Sequence, residues 1–337
     1  MIEAYDPKVT PWQIREENYP AEGTLGERLE YLLRYAILAP STHNTQPWKF
    51  RIKDTEIEIY IDRSRWLRVV DADQRELHIS VGCALETLLI AAEHFGMGHH
   101  LIYFPETGHD DHVATIRFIP EGEPTQFRRP ELFDAIVERA TNHLTFEDRP
   151  IPDSERRWLG DCCAEEGIAL WLTDQAEIKR KVDELTVRAD AEQFADPAWR
   201  HELGQWLGQG VYGNSWMVSK LGQLAVTYLN LSKGVAKKDS ELLQSAPLLA
   251  VLTSKQNHPD VQIQVGQAFQ RIALTATVLG IRVHPMSQIL EFPELKQELT
   301  SLLPTQGLMP QHAFRLGYAA GEVEHTPRRP LAEVLIS

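Results

Sequence analysis

Apolar positions recur along this chain in two rhythms, and their alternation lays out many of its elements. The first rhythm is helical. Leu25, Leu29, Leu32, Leu33 and Ala36 fall at three- and four-residue spacings, which gathers them on one helix face. Thr24 and Glu27 offer a capping box to open that helix, and Pro40 stops it. The second rhythm is alternation. Residues 48–52 and 56–61 read as strands, the latter through Ile57, Ile59 and Ile61, and Lys53-Asp54-Thr55 between them suggests a hairpin. Residues 79–95 return to helical spacing, with Gly96 placed to cap the end, and a strand is expected at 113–119. Residues 1–23 read as a polar, extended arm, and the charged stretch 120–130 with its Pro and Gly as a boundary.

The second half repeats elements of the first. V-G-C-A-L-E-T-L-L-I-A-A-E-H-F-G-M-G-H-H at 81–100 aligns without a gap on V-G-Q-A-F-Q-R-I-A-L-T-A-T-V-L-G-I-R-V-H at 265–284. The constant offset pairs Gly82 with Gly266, Gly96 with Gly280 and His100 with His284. Apolar matches between two helices mean little, but glycines matched at both ends argue for an internal duplication. Strands at 113–119 and 312–318 close the two halves. The chain divides into an arm over 1–23, repeat one over 24–125 and repeat two over 126–337. Residues 186–245 have no counterpart in repeat one and carry Trp199, Trp206, Tyr212, Trp216 and Tyr228, which suits a helical layer or a lid.

Composition narrows the classes. A chain of 337 residues with 43% hydrophobic and 24% charged residues can bury a large core without metal or disulfide support. A net charge of −14 argues against a nucleic-acid or membrane-surface partner, because phosphate-rich surfaces need a basic face. Cys83, Cys162 and Cys163 show no metal-ligand spacing, and His94, His99, His100, His109 and His112 form only a loose cluster, so no metal site is expected. MIEAYDPKVTPW has no signal-peptide character and no apolar run approaches the ~18 residues of a membrane span, so a cytoplasmic setting is expected. No dinucleotide fingerprint, phosphate-binding P-loop or nucleophile elbow occurs.

Four stretches carry candidate chemistry. A-P-S-T-H-N-T-Q-P-W at 39–48 places Pro40, Ser41, Thr42 and Asn44 along a helix-to-strand corner, where hydroxyls and an amide can meet a polar, planar ligand. R-A-T-N-H at 139–143 offers Arg139 for a forked, charge-assisted grip on phosphate, Thr141 as a neutral donor, and His143. H-P-M-S-Q at 284–288 follows the second long helix, and T-P-R-R-P-L-A-E-V at 326–334 brings Arg328 and Arg329 near the C-terminus. Each has an ordinary reading as turn or surface charge.

Together the four stretches resemble the nitroreductase family, whose members bind FMN between two copies of the fold. The corner at 39–48 is similar to the family's helix-to-strand signature. Arg139 and Thr141 match its phosphate motif, while His143 stands where a fixed cation is usual. The resemblance implies that Pro285, Met286 and Ser287 line the flavin ring and that a C-terminal arginine, Arg329 before Arg328, adds a second phosphate contact. It implies an α+β fold of two tandem nitroreductase-like repeats, an intrachain pseudo-dimer of mainly antiparallel sheets flanked by helices, in which the first helix of each half supplies much of the interface. The corner lies in repeat one and the other pieces in repeat two, so they sum to one composite site per chain, as in the fused Acg-type branch. The expected activity is an FMN-dependent oxidoreductase taking electrons from NAD(P)H to a small acceptor such as a nitroaromatic or quinone, with the chemistry carried by the flavin rather than by a catalytic side chain. A flavin-sequestering protein with little turnover, and an interaction protein with a vestigial pocket, remain open at this point, as does further oligomerisation.

Overall fold

The computed structural model describes residues 11–106, 108–210, 216–229, 231–304, 307–321 and 325–337. Tyr212 and the first ten residues of the expected arm lie outside the described residues. Helix α1 (Leu25–Ala36) opens with the capping box: the Thr24 hydroxyl accepts from the Glu27 amide at 3.3 Å, and the Glu27 carboxylate accepts from the Thr24 amide at 2.7 Å. Strands β1 (Trp48–Lys53) and β2 (Glu56–Ile61) form the hairpin, with Trp48 opposite Ile61 and Lys53 opposite Glu56. Asp54 makes its turn in the left-handed region, at φ 54°. Helix α2 (Arg75–His94) begins four residues before the apolar pattern does. The Asp71 carboxylate accepts from the amides of Glu76 and Leu77 at 2.9 and 2.8 Å, a cap that hydrophobic spacing does not record. Residues 75 to 93 are all buried, so α2 is a central helix rather than a surface one. Strands β3 (Met97–Tyr103) and β4 (His112–Pro120) complete an antiparallel sheet of order β1-β2-β4-β3.

The second half builds the same sheet from α3 (Glu131–Glu138), α4 (Asp153–Gly160) and β5 (Ile168–Thr173) onward. Between β5 and the next strand the chain inserts α5 (Ala176–Ala195), α6 (Pro197–Gly208), α7 (Trp216–Tyr228) and α8 (Ser232–Ser245). It then runs through β6 (Leu248–Ser254), α9 (Pro259–Val278), β7 (Arg282–Pro285), α10 (Pro293–Leu302), β8 (Met309–Gly317) and the short α11 (Leu331–Val334). The strand order β5-β6-β8-β7 copies that of the first sheet. The inserted helices therefore occupy the place of the short β1–β2 turn. They begin at residue 176 rather than near 186, because the first turns of α5 are charged and carry little apolar signal.

The two halves meet mainly through α2 and α9 rather than through the first helix of each half; α1 packs on α2, while α3 packs chiefly on α9 with a smaller contact to α2. Glycine decides this. A Cβ on Gly82 would lie 2.1 Å from the Ile263 carbonyl oxygen, and one on Gly266 would lie 2.1 Å from that of Ile79. Each glycine contacts the helix of the other half, and Ile79 and Ile263 are related by the same offset as the glycines, so the helices cross on a pseudo-two-fold axis. Bare backbone there admits an approach that any side chain would block. His78 bonds Gln262 at 2.7 Å and Gln270 donates to Thr87 at 2.9 Å on either side of the crossing. One continuous core spans both halves. The C-terminal segment returns to repeat one, where Leu335 bridges Phe50 in parallel and the Ile336 amide donates to the Phe50 carbonyl at 2.8 Å, covering the β1 edge. Among the described residues no helix is long and apolar enough to cross a membrane.

Gly82→Ala and Gly266→Ala are each expected to destabilise the chain by about 3 kcal/mol in denaturant unfolding, because the added methyl meets backbone rather than a movable side chain. Gly222→Ala, on α7 with nothing within 4 Å of the new Cβ, is the contrast and should stabilise by about 0.5–1 kcal/mol.

Candidate functional site

The corner after α1 holds three non-glycine residues in the left-handed region: His43 at φ 49°, Asn44 at 53° and Gln46 at 51°. Such conformations cost roughly 1 kcal/mol or more each, so the surroundings must over-determine them. They do. The Ser41 hydroxyl accepts from the Gln46 amide at 2.9 Å, and the Thr42 amide donates to Ser80 on α2 at 3.2 Å. The tail after β8 clamps the rest: Asn44 donates to the Pro327 carbonyl at 2.9 Å, Arg328 donates to Asn44 Oδ1 at 3.0 Å, and the Arg329 amide donates to Gln46 Oε1 at 2.7 Å. Arg65 donates to the Thr45 carbonyl.

Arg139 is the first residue beyond α3, where the chain turns extended. Thr141 bridges Val283 in parallel and the Asn142 amide donates to the Val283 carbonyl at 3.0 Å, which lays the 139–143 segment beside β7 and the loop after it. Between these pieces and the corner lies a cavity of about 780 Å³. Pro40, Ser41, Thr42 and Asn44 line it from repeat one; Arg139, Thr141, His143, Pro285, Met286, Ser287 and Arg328 line it from repeat two. The inserted helices α5 to α8 add a further wall, and Glu76, Ile79, Ser80 and Cys83 of α2 border it as well. Of the residues singled out in the sequence, Arg329 alone is absent from this lining. Its guanidinium bonds Asp62 at 3.2 Å and the Gln46 carbonyl at 3.1 Å, so Arg328, placed second in the sequence reading, is the arginine of the two that lines the cavity. Adjacent residues on an extended tail point to opposite sides, so only one can face the cavity.

The cavity's charge is unusual. Arg139 is buried and its guanidinium makes no hydrogen bond or ion pair among the described residues; burial pulls its pKa down to about 10. Arg328 is buried too, lying 4.7 Å from the Trp12 ring centroid and donating to Asn44, Thr326 and the Leu38 carbonyl. Burial, and then Arg139, hold its pKa well below the usual range. No carboxylate among the described residues lies within 4.0 Å of either group. Glu76, Asp190, Asp239 and Glu291 also line the cavity, but none is within ion-pair distance of these two guanidiniums, and desolvated cations left without a direct partner are unfavourable unless an anion joins them. His143 does not add a third charge: burial, Lys238 and Arg315 all lower its pKa. Burial likewise keeps His284 neutral.

Several contributors escape the sequence pattern. Arg315, inside β8, donates to His284 Nδ1 at 3.0 Å and to the Leu144 carbonyl at 2.7 Å. A guanidinium only donates, so His284 must carry its proton on Nε2. Trp12 of the arm packs against His325, with ring centroids 4.0 Å apart and planes tilted by 46°, and donates to the Thr326 carbonyl at 2.9 Å, tying the arm to the tail after β8 at the site. Asp190, Asp239 and Glu291 bring acid to the wall near the insertion. Among the described residues no group of His, Cys, Asp or Glu is placed to hold a metal ion.

No family model matches the chain. Against curated proteins it is similar to Rv3131 of Mycobacterium tuberculosis H37Rv, provisionally named an NAD(P)H nitroreductase, with 27% identity over 92% of this chain and 91% of the relative. The protein acg of the same strain, named in the same provisional way, is 26% identical over 90% of this chain and 93% of its own. PigM of Serratia, another with an NAD(P)H nitroreductase name, is 22% identical over 93% and 94%. Among solved structures, the FMN-dependent nitroreductase NfnB from Mycobacterium smegmatis in complex with NADPH aligns at 17% identity over 60% of this chain and 96% of its own, with a TM-score of 0.39. The architecture above rests on this chain's own sheets and helices.

The position related to the cavity by the internal repeat is filled. Ser287 and Cys83 border the cavity; their counterparts at the same offset, Tyr103 and Gln267, bond each other at 2.6 Å. Gln267 in turn donates to Glu86 at 2.9 Å, and Glu86 receives Arg128 at 2.7 Å and Arg271 at 2.9 Å. The tail after β4 thus delivers Arg128 as the tail after β8 delivers Arg328, but here carboxylates meet it. Glu93 and Glu165 complete the cluster at 2.7 and 2.6 Å from Arg128 and Arg271. Burial alone would raise the Glu86 pKa, yet the two guanidiniums overcome it and pull the group down to about 2. A folded value below the unfolded one near 4.3 means stability that is present above about pH 4.5 and lost as pH falls toward 2. Glu86→Gln should therefore cost about 2–3 kcal/mol at neutral pH, because Arg128 and Arg271 each lose one charge-assisted contact and keep only Glu93 and Glu165, and it should flatten the acid limb of a stability–pH curve measured by denaturant titration.

Proposed function

We propose that this chain is an FMN-dependent oxidoreductase of nitroreductase type that holds one flavin per chain in the cavity between its repeats. The observation that carries the reading is the pair of buried guanidiniums, Arg139 and Arg328, which face the cavity with no carboxylate among the described residues in ion-pair contact with them. A phosphate supplies the missing charge, and Arg139, free of other partners, can offer it a forked contact. Thr141 adds a neutral donor beside it. The corner 40–44 and the loop 285–287 suit the two sides of a planar ring, and a volume of about 780 Å³ is within the usual range for cofactor sites. The nitroreductase names of relatives similar along nine-tenths of the chain point the same way.

The chemistry that FMN supplies when bound is the passage of a hydride equivalent from NAD(P)H to a small acceptor such as a nitroaromatic or a quinone. The chain's own part is to bind, orient and enclose. The clamped left-handed corner presents fixed backbone and hydroxyl groups without reorganisation. Neutral His284, held as an Nε2–H donor by Arg315, can donate a hydrogen bond but not release a proton as a cation would. The inserted helices wall the cavity and limit water. A vestigial pocket is disfavoured, since two uncompensated buried cations would persist at a stability cost with nothing to offset them. Three cysteines held as free thiols support a cytoplasmic setting for the same reading.

The protein purified without added flavin should show a visible flavin spectrum, with FMN released on heating at about one per chain. A colourless protein that also refuses added FMN would overturn the reading, and two per chain would contradict the filled second position. Arg139→Ala is the clean variant because that side chain holds nothing else in place. It should weaken FMN binding by about 1.5–3 kcal/mol, read by fluorescence titration, with little change in unfolding midpoint. Arg329→Ala should do the reverse, leaving FMN affinity near its starting value while lowering stability.

A further inference from the structure

The wall contributed by the insertion carries charge of the opposite sign to the arginine wall. Asp190 on α5 and Asp239 on α8 both line the cavity, and both accept from the same amide nitrogen, Gln288 Nε2, at 3.2 and 3.3 Å. That nitrogen has two hydrogens, so the two bonds exhaust it and leave one oxygen on each carboxylate unused. Asp190 is only 1% exposed, and its Oδ2 is buried with no partner. Among the described residues neither carboxylate forms an ion pair with lysine or arginine.

We propose that the Asp190–Asp239 pair is a subsite for a positively charged nitrogen, so that the cavity takes organic cations such as amines and amidines in preference to carboxylates. The proposal rests on the preceding reading only for the claim that such a ligand is the electron acceptor. An ammonium or amidinium group has several N–H donors and would satisfy the open oxygens of both acids while cancelling their mutual repulsion. A carboxylate-bearing ligand would add a third negative group to the same wall.

The charged surroundings are mixed. Asp183 lies on α5 with Asp190; Lys238 neighbours Asp239 on α8; Arg315 reaches from β8, and Glu291 lines the wall from the turn before α10. Burial, then Asp239, push Asp190 up to about 7, and burial raises Asp239 despite Lys238 and Arg315. Burial, then Glu76, raise the Glu291 pKa well above the usual carboxylate range, and burial lowers those of His143 and His284. The sign follows: a carboxyl with a raised pKa gains its charge as pH rises through 7, so cation affinity should rise in the same direction.

The test is calorimetric titration of the full-length protein with benzylamine, benzyl alcohol and benzoate at about pH 6 and about pH 8, with flavin content read on the same samples. Benzylamine, protonated throughout, should bind at least about tenfold tighter than the alcohol at the higher pH and lose most of that advantage at the lower, and in flavin-loaded samples, where Arg139 and Arg328 are occupied, benzoate should bind weakest. Asp190→Asn, which keeps the shape and the Gln288 bond, should weaken benzylamine about tenfold and flatten its pH dependence, and Asp239→Asn should act likewise if the first variant folds poorly. Equal affinity for the three probes, or an Asp190→Asn protein that binds the amine unchanged, overturns the subsite. A colourless protein that refuses added FMN yet retains amine selectivity would sink the flavin reading and leave the subsite standing; a flavin-loaded protein without selectivity would do the opposite.

Discussion

The crossing of α2 and α9 at Gly82 and Gly266 governs the rest of the molecule. With each backbone against the other, the two sheets can lie only on either side of one buried helix pair, related by a pseudo-two-fold axis. That axis carries the corner after α1 toward the loop after β7, although some 240 residues separate them in the chain. Neither piece makes a site alone. The corner offers hydroxyls and left-handed backbone without a cation, and the second half offers cations without a facing wall.

A symmetric scaffold would produce two equal sites, and this chain treats its two positions in opposite ways. At one, Tyr103 stands where the other has Ser287, and a closed network of Glu86, Arg128 and Arg271 fills the space with mutually satisfied charge. At the other, small side chains leave a void and the guanidiniums of Arg139 and Arg328 remain uncompensated. Both positions bury arginine from a tail that follows a closing strand. What separates them is whether the protein itself provides the anion. A network whose charges are all paired rigidifies a core, whereas an unpaired buried cation stores a demand for a ligand.

The insertion breaks the symmetry a second time. It replaces a short hairpin turn with four helices, and these bring Asp190, Asp239 and Glu291 to a cavity whose other wall is cationic. The tail adds a further asymmetry. By binding Asn44 and Gln46 it holds the strained corner in shape, so Arg328 and Arg329 serve repeat one as much as repeat two. Arg329 divides its guanidinium among the Gln46 carbonyl, Asp62 and the Glu333 carbonyl.

Much of this was legible along the chain because it depends on neighbours in sequence. The capping box of Thr24 and Glu27, the β1–β2 hairpin and the offset joining Gly82 to Gly266 are set by local spacing and local backbone needs. The stretches that line the cavity were also visible as short motifs, since hydroxyls, amides and arginines must be grouped to act together. Other features depend on which residues meet across the fold, and spacing carries no record of that. The apolar pattern could not show that α2 and α9, rather than the first helices, form the interface, because bare backbone contact leaves only glycines as its trace. Nor could it rank Arg328 over Arg329, as the choice turns on which side of an extended tail meets Asp62. The neutral state of His143, the tautomer of His284 and the acid pair from two inserted helices are decided by burial and by partners remote in sequence. Tertiary structure alone supplies those, because it alone fixes the distances over which charges act.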